Sequence, residues 1–133
     1  MSLEVGMSFS IHKRISAEDF LKFSILSGDE NPIHTDEEFA SKSIFGKRIA
    51  PGLLVASYIS AVIANNLPGP GSIYLGQNLK FLHPVFDGDE IQVKLTISGF
   101  VKPGVCRLKT EVFKQEIPVI DGEAVVKYLL DTI

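Results

Sequence analysis

Polar and apolar positions along the chain predict helices first and strands afterwards. Residues 8–15 alternate apolar and polar side chains, as a half-buried strand does. Ser16 then opens a stretch with helical periodicity, and Asp19 stands three residues later, as in a capping box. The apolar stripe of this helix is formed by Phe20, Phe23 and Leu26. We expect the helix to end at Gly28, because glycine favours the position just past a helix end.

Two further helices are predicted before the strands begin. Thr35 or Asp36 can cap a short helix that ends near Ser43. A longer helix runs from Pro51, which suits its first turn, to about Asn66. This long helix is apolar on nearly every side, a property of helices that are surrounded by protein. We therefore expect other elements to wrap it.

In the second half of the chain, apolar and polar residues alternate as they do in strands, and turn residues separate these stretches. The predicted strands span residues 73–82, 90–100, 105–115 and 123–130. With residues 8–15 they make about five strands, and the economical arrangement is an antiparallel sheet curled around the long apolar helix. This is an α+β domain. The length of 133 residues predicts one domain over residues 1–133.

Composition and charge narrow the possible functions. The net charge is −3 and the basic residues are scattered, which argues against nucleic acid as the main partner. We find no secretory signal, and the longest apolar run, residues 49–64, is shorter than the roughly 20 residues that span a bilayer. The single cysteine, Cys106, fits a reducing compartment. We expect a cytoplasmic protein without a membrane partner.

The segment Gly28-Asp29-Glu30-Asn31-Pro32-Ile33-His34 carries the most informative chemistry. Pro32 lacks an N–H and pushes Asn31 towards extended geometry, which disfavours a continuous helix. A curled backbone can direct Asp29 and His34 at one point. A carboxylate and an imidazole that share a point can handle a water molecule and its proton. Without further signals, a more common interpretation is that Asp29 only ends a helix and His34 forms a hydrogen bond in a loop.

The residues around this segment resemble the hydratase signature of the MaoC-like (R)-specific enoyl-CoA hydratases. The matching positions are Phe23, Leu26, Ser27, Gly28, Asp29, Asn31, Pro32, Ile33, His34 and Ala40. Residues 77–81, Pro84-Val85 and Gly88-Asp89 also resemble the strand and turn that follow the family's central helix. The resemblance covers about residues 6–130. It implies the hot-dog fold, in which an antiparallel sheet wraps a long central helix.

The resemblance also implies a reaction. The family's reaction is a reversible syn addition of water to a trans-2-enoyl thioester, giving an (R)-3-hydroxyacyl thioester, and its enzymes are hydro-lyases. The resemblance assigns the handling of water to Asp29 and His34. Two groups are useful because hydration needs one proton removed from water and one delivered to C2. Our interpretation is that Asp29 takes the water proton, while His34 positions the water and shares the proton load.

Three other residues are assigned around this pair. Gly52 can present an N–H at the positive end of the long helix to an oxyanion on the thioester carbonyl, and the family uses the corresponding glycine in this way. Many members have a histidine before this glycine, where this chain has Pro51, so a hydrogen bond from such a histidine is lost. By the resemblance, Ser60 hydrogen-bonds the active-site aspartate. Asn31 is expected to brace the loop through its amide.

The expected partners follow from the same resemblance. The substrate is an acyl-CoA or acyl-carrier-protein thioester, and the protein is a homodimer or higher homo-oligomer whose acyl tunnel uses both subunits. Candidates for a cationic patch at the tunnel mouth are Lys47, Arg48 and Lys80. We expect no cofactor and no metal, because His34 and Asp36 alone do not form a metal site. His83 is interpreted as a strand-end residue.

Three alternatives remain from the sequence. One is a 3-hydroxyacyl-acyl-carrier-protein dehydratase, with the same chemistry on a different carrier. Another is a hot-dog thioesterase, which releases a free thiol from an acyl-CoA. The third is a non-catalytic acyl-thioester binding protein, for which a broken Asp/His pair is expected, whereas both residues are present here.

Overall fold

Four helices and five strands make up the described part of the chain, residues 2–130 of a computed structural model. The helices are α1 Ala17–Ser27, α2 Pro32–Thr35, α3 Glu37–Ser41 and α4 Gly52–Asn65. The strands are β1 Ser8–Arg14, β2 Ile73–Phe81, β3 Glu90–Lys102, β4 Val105–Lys114 and β5 Ile117–Lys127. Every predicted element is present, but β5 begins six residues before its predicted start at residue 123 and ends three residues before its predicted end at residue 130. The one-turn helix α2 was not predicted from the sequence pattern.

The strands form one antiparallel sheet in the order β1-β3-β4-β5-β2. The alternate residues of β3 that face α4 are fully buried, namely Ile91, Val93, Leu95 and Ile97. The strands β1 and β2 lie at the two edges of the sheet. On the predicted apolar face of residues 8–15, Ile15 is fully buried, Ile11 is partly buried and Phe9 is 40% exposed, so the face is buried only in part in the single chain. The α+β arrangement of a sheet around one apolar helix is confirmed.

The ends of α1 confirm the predicted caps. The Ser16 hydroxyl accepts a hydrogen bond from the Asp19 N–H, and the Asp19 carboxylate accepts one from the Ser16 N–H. Gly28 follows the helix in the left-handed region, at a φ of 80°, and its N–H donates to the Ser24 carbonyl. The chain therefore turns sharply at Gly28, just before Asp29.

The apolar stripe predicted for α1 is wrong at one position. Phe20 is fully buried, but Leu26 is 88% exposed. Six residues separate them, which places Leu26 about 120° around the helix axis from Phe20. Ser24, one turn after Phe20, takes the buried position instead.

The central helix α4 is buried on one side only. The buried side chains are Leu54, Val55, Ile59, Val62 and Ile63. The opposite side carries Leu53, which is 62% exposed, together with the exposed Ser57 and Ser60. A single chain therefore wraps this helix on one side only. None of the helices within residues 2–130 has the length and apolar character needed to cross a membrane.

Candidate active site

Asp29 stands in a turn that hydrogen bonds hold on every side. Its N–H donates to the Ser27 hydroxyl at 3.1 Å, and its carbonyl accepts a hydrogen bond from the buried Ser24 hydroxyl. Its Oδ1 accepts the Asn31 N–H at 3.0 Å. Among the described residues, Oδ2 has no hydrogen-bond partner, so one carboxylate oxygen is fixed and the other is open to a ligand. The Asp29 side chain is exposed in the single chain.

Asn31 and Pro32 restart the helical backbone after this turn. Asn31 is extended, with a ψ of 117°, and its Oδ1 accepts the Ile33 N–H at 3.2 Å as the N-cap of α2. Pro32 takes the first helical position, where a missing N–H costs little. The break in the helix at Pro32 and the bracing by the Asn31 amide are therefore present. An N-cap residue followed by proline was the signal that could have predicted α2.

His34 is fixed by one of its two ring nitrogens. Its Nδ1 lies 2.8 Å from the Ile49 carbonyl oxygen. Because a carbonyl can only accept, Nδ1 carries the hydrogen in this contact, and in the neutral ring Nε2 keeps a lone pair. The Ile49 N–H in turn donates to the Ile33 carbonyl at 3.2 Å. These two bonds tie α2 to the segment that leads into α4, and they leave Nε2 able to accept a hydrogen bond from water.

The same segment places Gly52 at the start of α4. The Ala50 N–H donates to the Val85 carbonyl at 2.7 Å. Pro51, with a ψ of 131°, is the N-cap, so its predicted place inside the first turn is wrong, and helical geometry begins at Gly52. The Gly52 N–H lies at the positive end of the helix and has no acceptor among the described residues. A Cβ at Gly52 would come within 2.7 Å of the Phe81 ring.

One cavity connects these residues. Asp29, His34 and Gly52 line a cavity of about 460 Å³, here called the main cavity. Its other walls are mostly apolar and include Phe23, Phe45, Leu53, Val55, Phe81 and Ile120. A carboxylate, an imidazole and an unpaired backbone N–H thus meet at an apolar space, an arrangement that suits an acyl group with one reactive polar end.

Ser60 does not line the main cavity. It lies on the exposed side of α4 and lines a second depression, here called the outer groove, whose other residues include Leu53, Ser57, Tyr74 and Leu75. The single chain therefore does not bring Ser60 to Asp29, and the hydrogen bond expected between them stays a prediction. Burial raises the pKa of Tyr74, also in this groove, to about 12, so its hydroxyl stays protonated and donates to Gln77.

Two of the three residues of the predicted cationic patch already make contacts within the chain. Arg48 donates to Glu37 at 3.0 Å, and Lys47 lies over the Phe86 ring at 4.3 Å from its centroid. None of Lys47, Arg48 and Lys80 is among the residues that line the main cavity.

His83 is a cavity residue that the sequence analysis missed. It does follow the end of β2, as expected, but it also lines the main cavity, and its Nδ1 lies 2.7 Å from the Pro118 carbonyl oxygen. The sequence carried no signal for this position, since it depends on the packing of residues distant in the chain.

Comparison with known proteins adds a family to this geometry. A sequence model described as "MaoC like domain" matches residues 3–119. The (R)-specific enoyl-CoA hydratase of Aeromonas caviae is 44% identical over 129 residues, which are 95% of this chain and 96% of that protein. The 3-hydroxybutyryl-CoA dehydratase of Methylorubrum extorquens is 43% identical over 94% of this chain and 80% of its own length. The solved structure of an (R)-hydratase from A. caviae, involved in PHA biosynthesis, superposes with a TM-score of 0.93 at 41% identity, covering 96% of this chain and 98% of that one.

Proposed function

Because the chain belongs to the MaoC-like domain family, we propose that it is an (R)-specific enoyl-CoA hydratase, a hydro-lyase acting on trans-2-enoyl-CoA. One observation carries this proposal: Asp29, His34 and the Gly52 N–H line the same apolar-walled cavity. The hydratase of A. caviae and the dehydratase of M. extorquens support it, since both are more than 40% identical to this chain over at least 94% of its length.

The water-handling step follows from the two open atoms of the pair. In our assignment, water donates one hydrogen bond to Asp29 Oδ2 and one to His34 Nε2. Asp29 removes a proton as the water oxygen bonds to C3 of the enoyl group. The Asn31 and Ile49 contacts hold both side chains in place before the water arrives, so little reorganisation is required at the moment of reaction.

The electrons of the double bond then move to the thioester oxygen. The Gly52 N–H donates to this enolate oxygen at the positive end of α4. The Asp29–His34 pair returns one proton to C2 on the face from which water added. One water has then been added in the syn sense, the thioester is restored, and both side chains have regained their starting protonation.

A hydration assay tests the function directly. The loss of enoyl-thioester absorbance is followed with trans-2-enoyl-CoA substrates of increasing chain length, and the product is resolved on a chiral column. We expect hydration to the (R)-3-hydroxyacyl product. Crotonyl-acyl-carrier protein, assayed in parallel, tests the dehydratase alternative, and thiol release tests for a thioesterase. Binding without turnover of any of these thioesters contradicts an enzymatic function.

We also propose that the protein is a homodimer joined through the outer groove. The exposed side of α4 and the unpaired edge of β2 lie together there, with Leu53 and Leu75 at 62% and 55% exposure. An apolar helix face next to an open strand edge is a surface that proteins cover by pairing. Because Ser60 belongs to this surface, we assign its expected hydrogen bond to Asp29 of the second copy.

The proposed interface predicts that Leu75→Asp produces a monomer. A carboxylate in the centre of a dry interface is left without a partner and opposes association. Light scattering after gel filtration is expected to change from twice the chain mass to the 14.6 kDa of one chain. Phe9→Asp is the matched control, since Phe9 is 40% exposed on β1, at the other edge of the sheet. A monomeric wild type, or an equal effect of Phe9→Asp, contradicts this interface.

Gly52→Ala is predicted to lower kcat/KM by about 10-fold, because the new methyl group displaces the Phe81 ring from the cavity wall beside the oxyanion donor. Phe81→Leu in the same chain removes the clash and should restore part of the activity. Gly99→Ala serves as the control, because a Cβ at Gly99 meets nothing within 4 Å. Full activity of Gly52→Ala in the steady-state assay shows that this site tolerates a side chain and contradicts the prediction.

A further inference from the structure

His83 is a polar residue of the main cavity to which the proposed hydration assigns no role. Three titratable side chains line this cavity within the described part of the chain, Asp29, His34 and His83. The first two handle water and its proton. His83 is exposed, two residues after the end of β2, and so lies where the cavity opens to solvent.

The backbone and ring of His83 are held in place before any substrate binds. The contact of Nδ1 with the Pro118 carbonyl requires the hydrogen on Nδ1, because a carbonyl only accepts. On one side of His83, the Leu82 N–H donates to the Val119 carbonyl at 2.8 Å. On the other side, the Pro84 carbonyl accepts from the Lys114 ammonium at 3.1 Å. In the neutral ring, this leaves Nε2 as a fixed acceptor with no partner among the described residues.

The position of His83 relative to Gly52 indicates what this acceptor contacts. The Phe81 ring lies against Gly52, and His83 follows Phe81 by two residues and lines the same cavity. A thioester whose carbonyl oxygen accepts from the Gly52 N–H places its sulfur on the solvent side of that contact. The first amide of a pantetheine arm follows the sulfur by only a few bonds. Its N–H therefore passes the part of the cavity wall that His83 forms.

We propose that His83 Nε2 accepts a hydrogen bond from the pantetheine amide nearest the thioester. This inference rests on the proposed function, since it takes an acyl thioester as the substrate. The amide is common to coenzyme A and to the prosthetic arm of a carrier protein, so His83 recognises the arm in both. His83 is a substrate-binding residue in this role and takes no part in proton transfer.

Two substitutions of His83 distinguish the contribution of Nδ1 from that of Nε2. In His83→Asn the side-chain amide stands near the position of Nδ1, so it can still donate to Pro118 but does not reach the position of Nε2. In His83→Gln the longer side chain brings an amide oxygen close to the position of Nε2. The substrates are three crotonyl thioesters, those of coenzyme A, N-acetylcysteamine and ethanethiol, of which the last has no amide.

The expected result is a change in KM that depends on the amide. His83→Asn should raise KM about 5-fold for the coenzyme A and N-acetylcysteamine thioesters, the effect of one hydrogen bond, with kcat unchanged. KM for the ethyl thioester should not change, and His83→Gln should recover most of the loss. An equal change for all three thioesters, or no change for any, overturns the proposal.

Failure of the proposed function has a different signature. If wild-type protein hydrates none of the three thioesters, the hydratase assignment fails. The proposed hydrogen bond between His83 and the pantetheine amide can still be measured by binding. Calorimetric titration with crotonyl-N-acetylcysteamine then compares wild type with His83→Asn. About 5-fold weaker binding by the variant supports the contact, and equal binding overturns it.

Discussion

Asp29→Asn is expected to lower kcat for crotonyl-CoA hydration by at least about 100-fold, the lower end of the contribution of an acid–base group. Asparagine keeps the size of the side chain, and its Oδ1 can still accept the Asn31 N–H that fixes Asp29 in the wild type. What is removed is the basic oxygen that takes the proton from water. The fold and the affinity for substrate should change little, so the loss should appear in kcat.

The neighbouring carboxylate provides a matched control for this variant. Glu30 is exposed, one residue from Asp29, and does not line the main cavity. Glu30→Gln removes the same charge from the same turn and should leave kcat within about 2-fold of wild type. Steady-state kinetics and thermal denaturation of both variants complete the test. A folded Asp29→Asn protein with near-wild-type kcat removes Asp29 from the mechanism.

The parts of this molecule that the sequence predicted correctly depend on neighbouring residues. The Ser16 capping box and the left-handed Gly28 form between residues a few positions apart, so their patterns are visible in the chain itself. The break at Pro32 has the same origin, because proline restricts the residue before it. Strand alternation likewise needs only a local pattern. Local rules therefore located the turn that carries Asp29.

The features that the sequence did not predict depend on contacts between distant segments. Leu26 continued the apolar pattern of α1 but faces away from the core, and the apolar outer side of α4 is not covered by its own chain. His83 reaches the main cavity only because β2 ends beside the start of α4. The hydrogen bond expected from Ser60 to an aspartate needs a second copy and stays a prediction. Each of these depends on packing that sequence periodicity does not encode.

The site itself is held together by residues 49–50, which directly precede Pro51, the N-cap of α4. Ile49 accepts the hydrogen bond of His34 and pairs with Phe86, and Ala50 bonds to Val85. Residues 49–50 therefore join α2 to the segment after β2, and α4 begins two residues later. A shift of this segment moves both the imidazole and the Gly52 N–H. The histidine thus has two separable functions, as a proton-handling group and as a tie to Ile49.

Substitution of His34 separates these two functions. His34→Ala removes both, whereas the side-chain N–H₂ of His34→Asn can stand near the position of Nδ1 and donate to the Ile49 carbonyl, without any group at Nε2. We expect both variants to lose at least about 100-fold in kcat, because the atom that contacts water is absent in each. Thermal denaturation should detect the hydrogen bond to the Ile49 carbonyl. The free energy of unfolding of His34→Asn should exceed that of His34→Ala by about 1 kcal/mol, the net contribution of one hydrogen bond.

A histidine elsewhere in the chain gives the control for this pair. His12 lies on β1, 3.7 Å from Glu90 and largely exposed, and His12→Asn should retain wild-type kcat. If His34→Asn recovers most of the wild-type activity while His34→Ala does not, the tie to Ile49 accounts for the effect and Nε2 has no part in the chemistry. If both variants are inactive but differ in stability, the imidazole acts on the water as proposed, and the bond to Ile49 serves to hold its free nitrogen at the cavity.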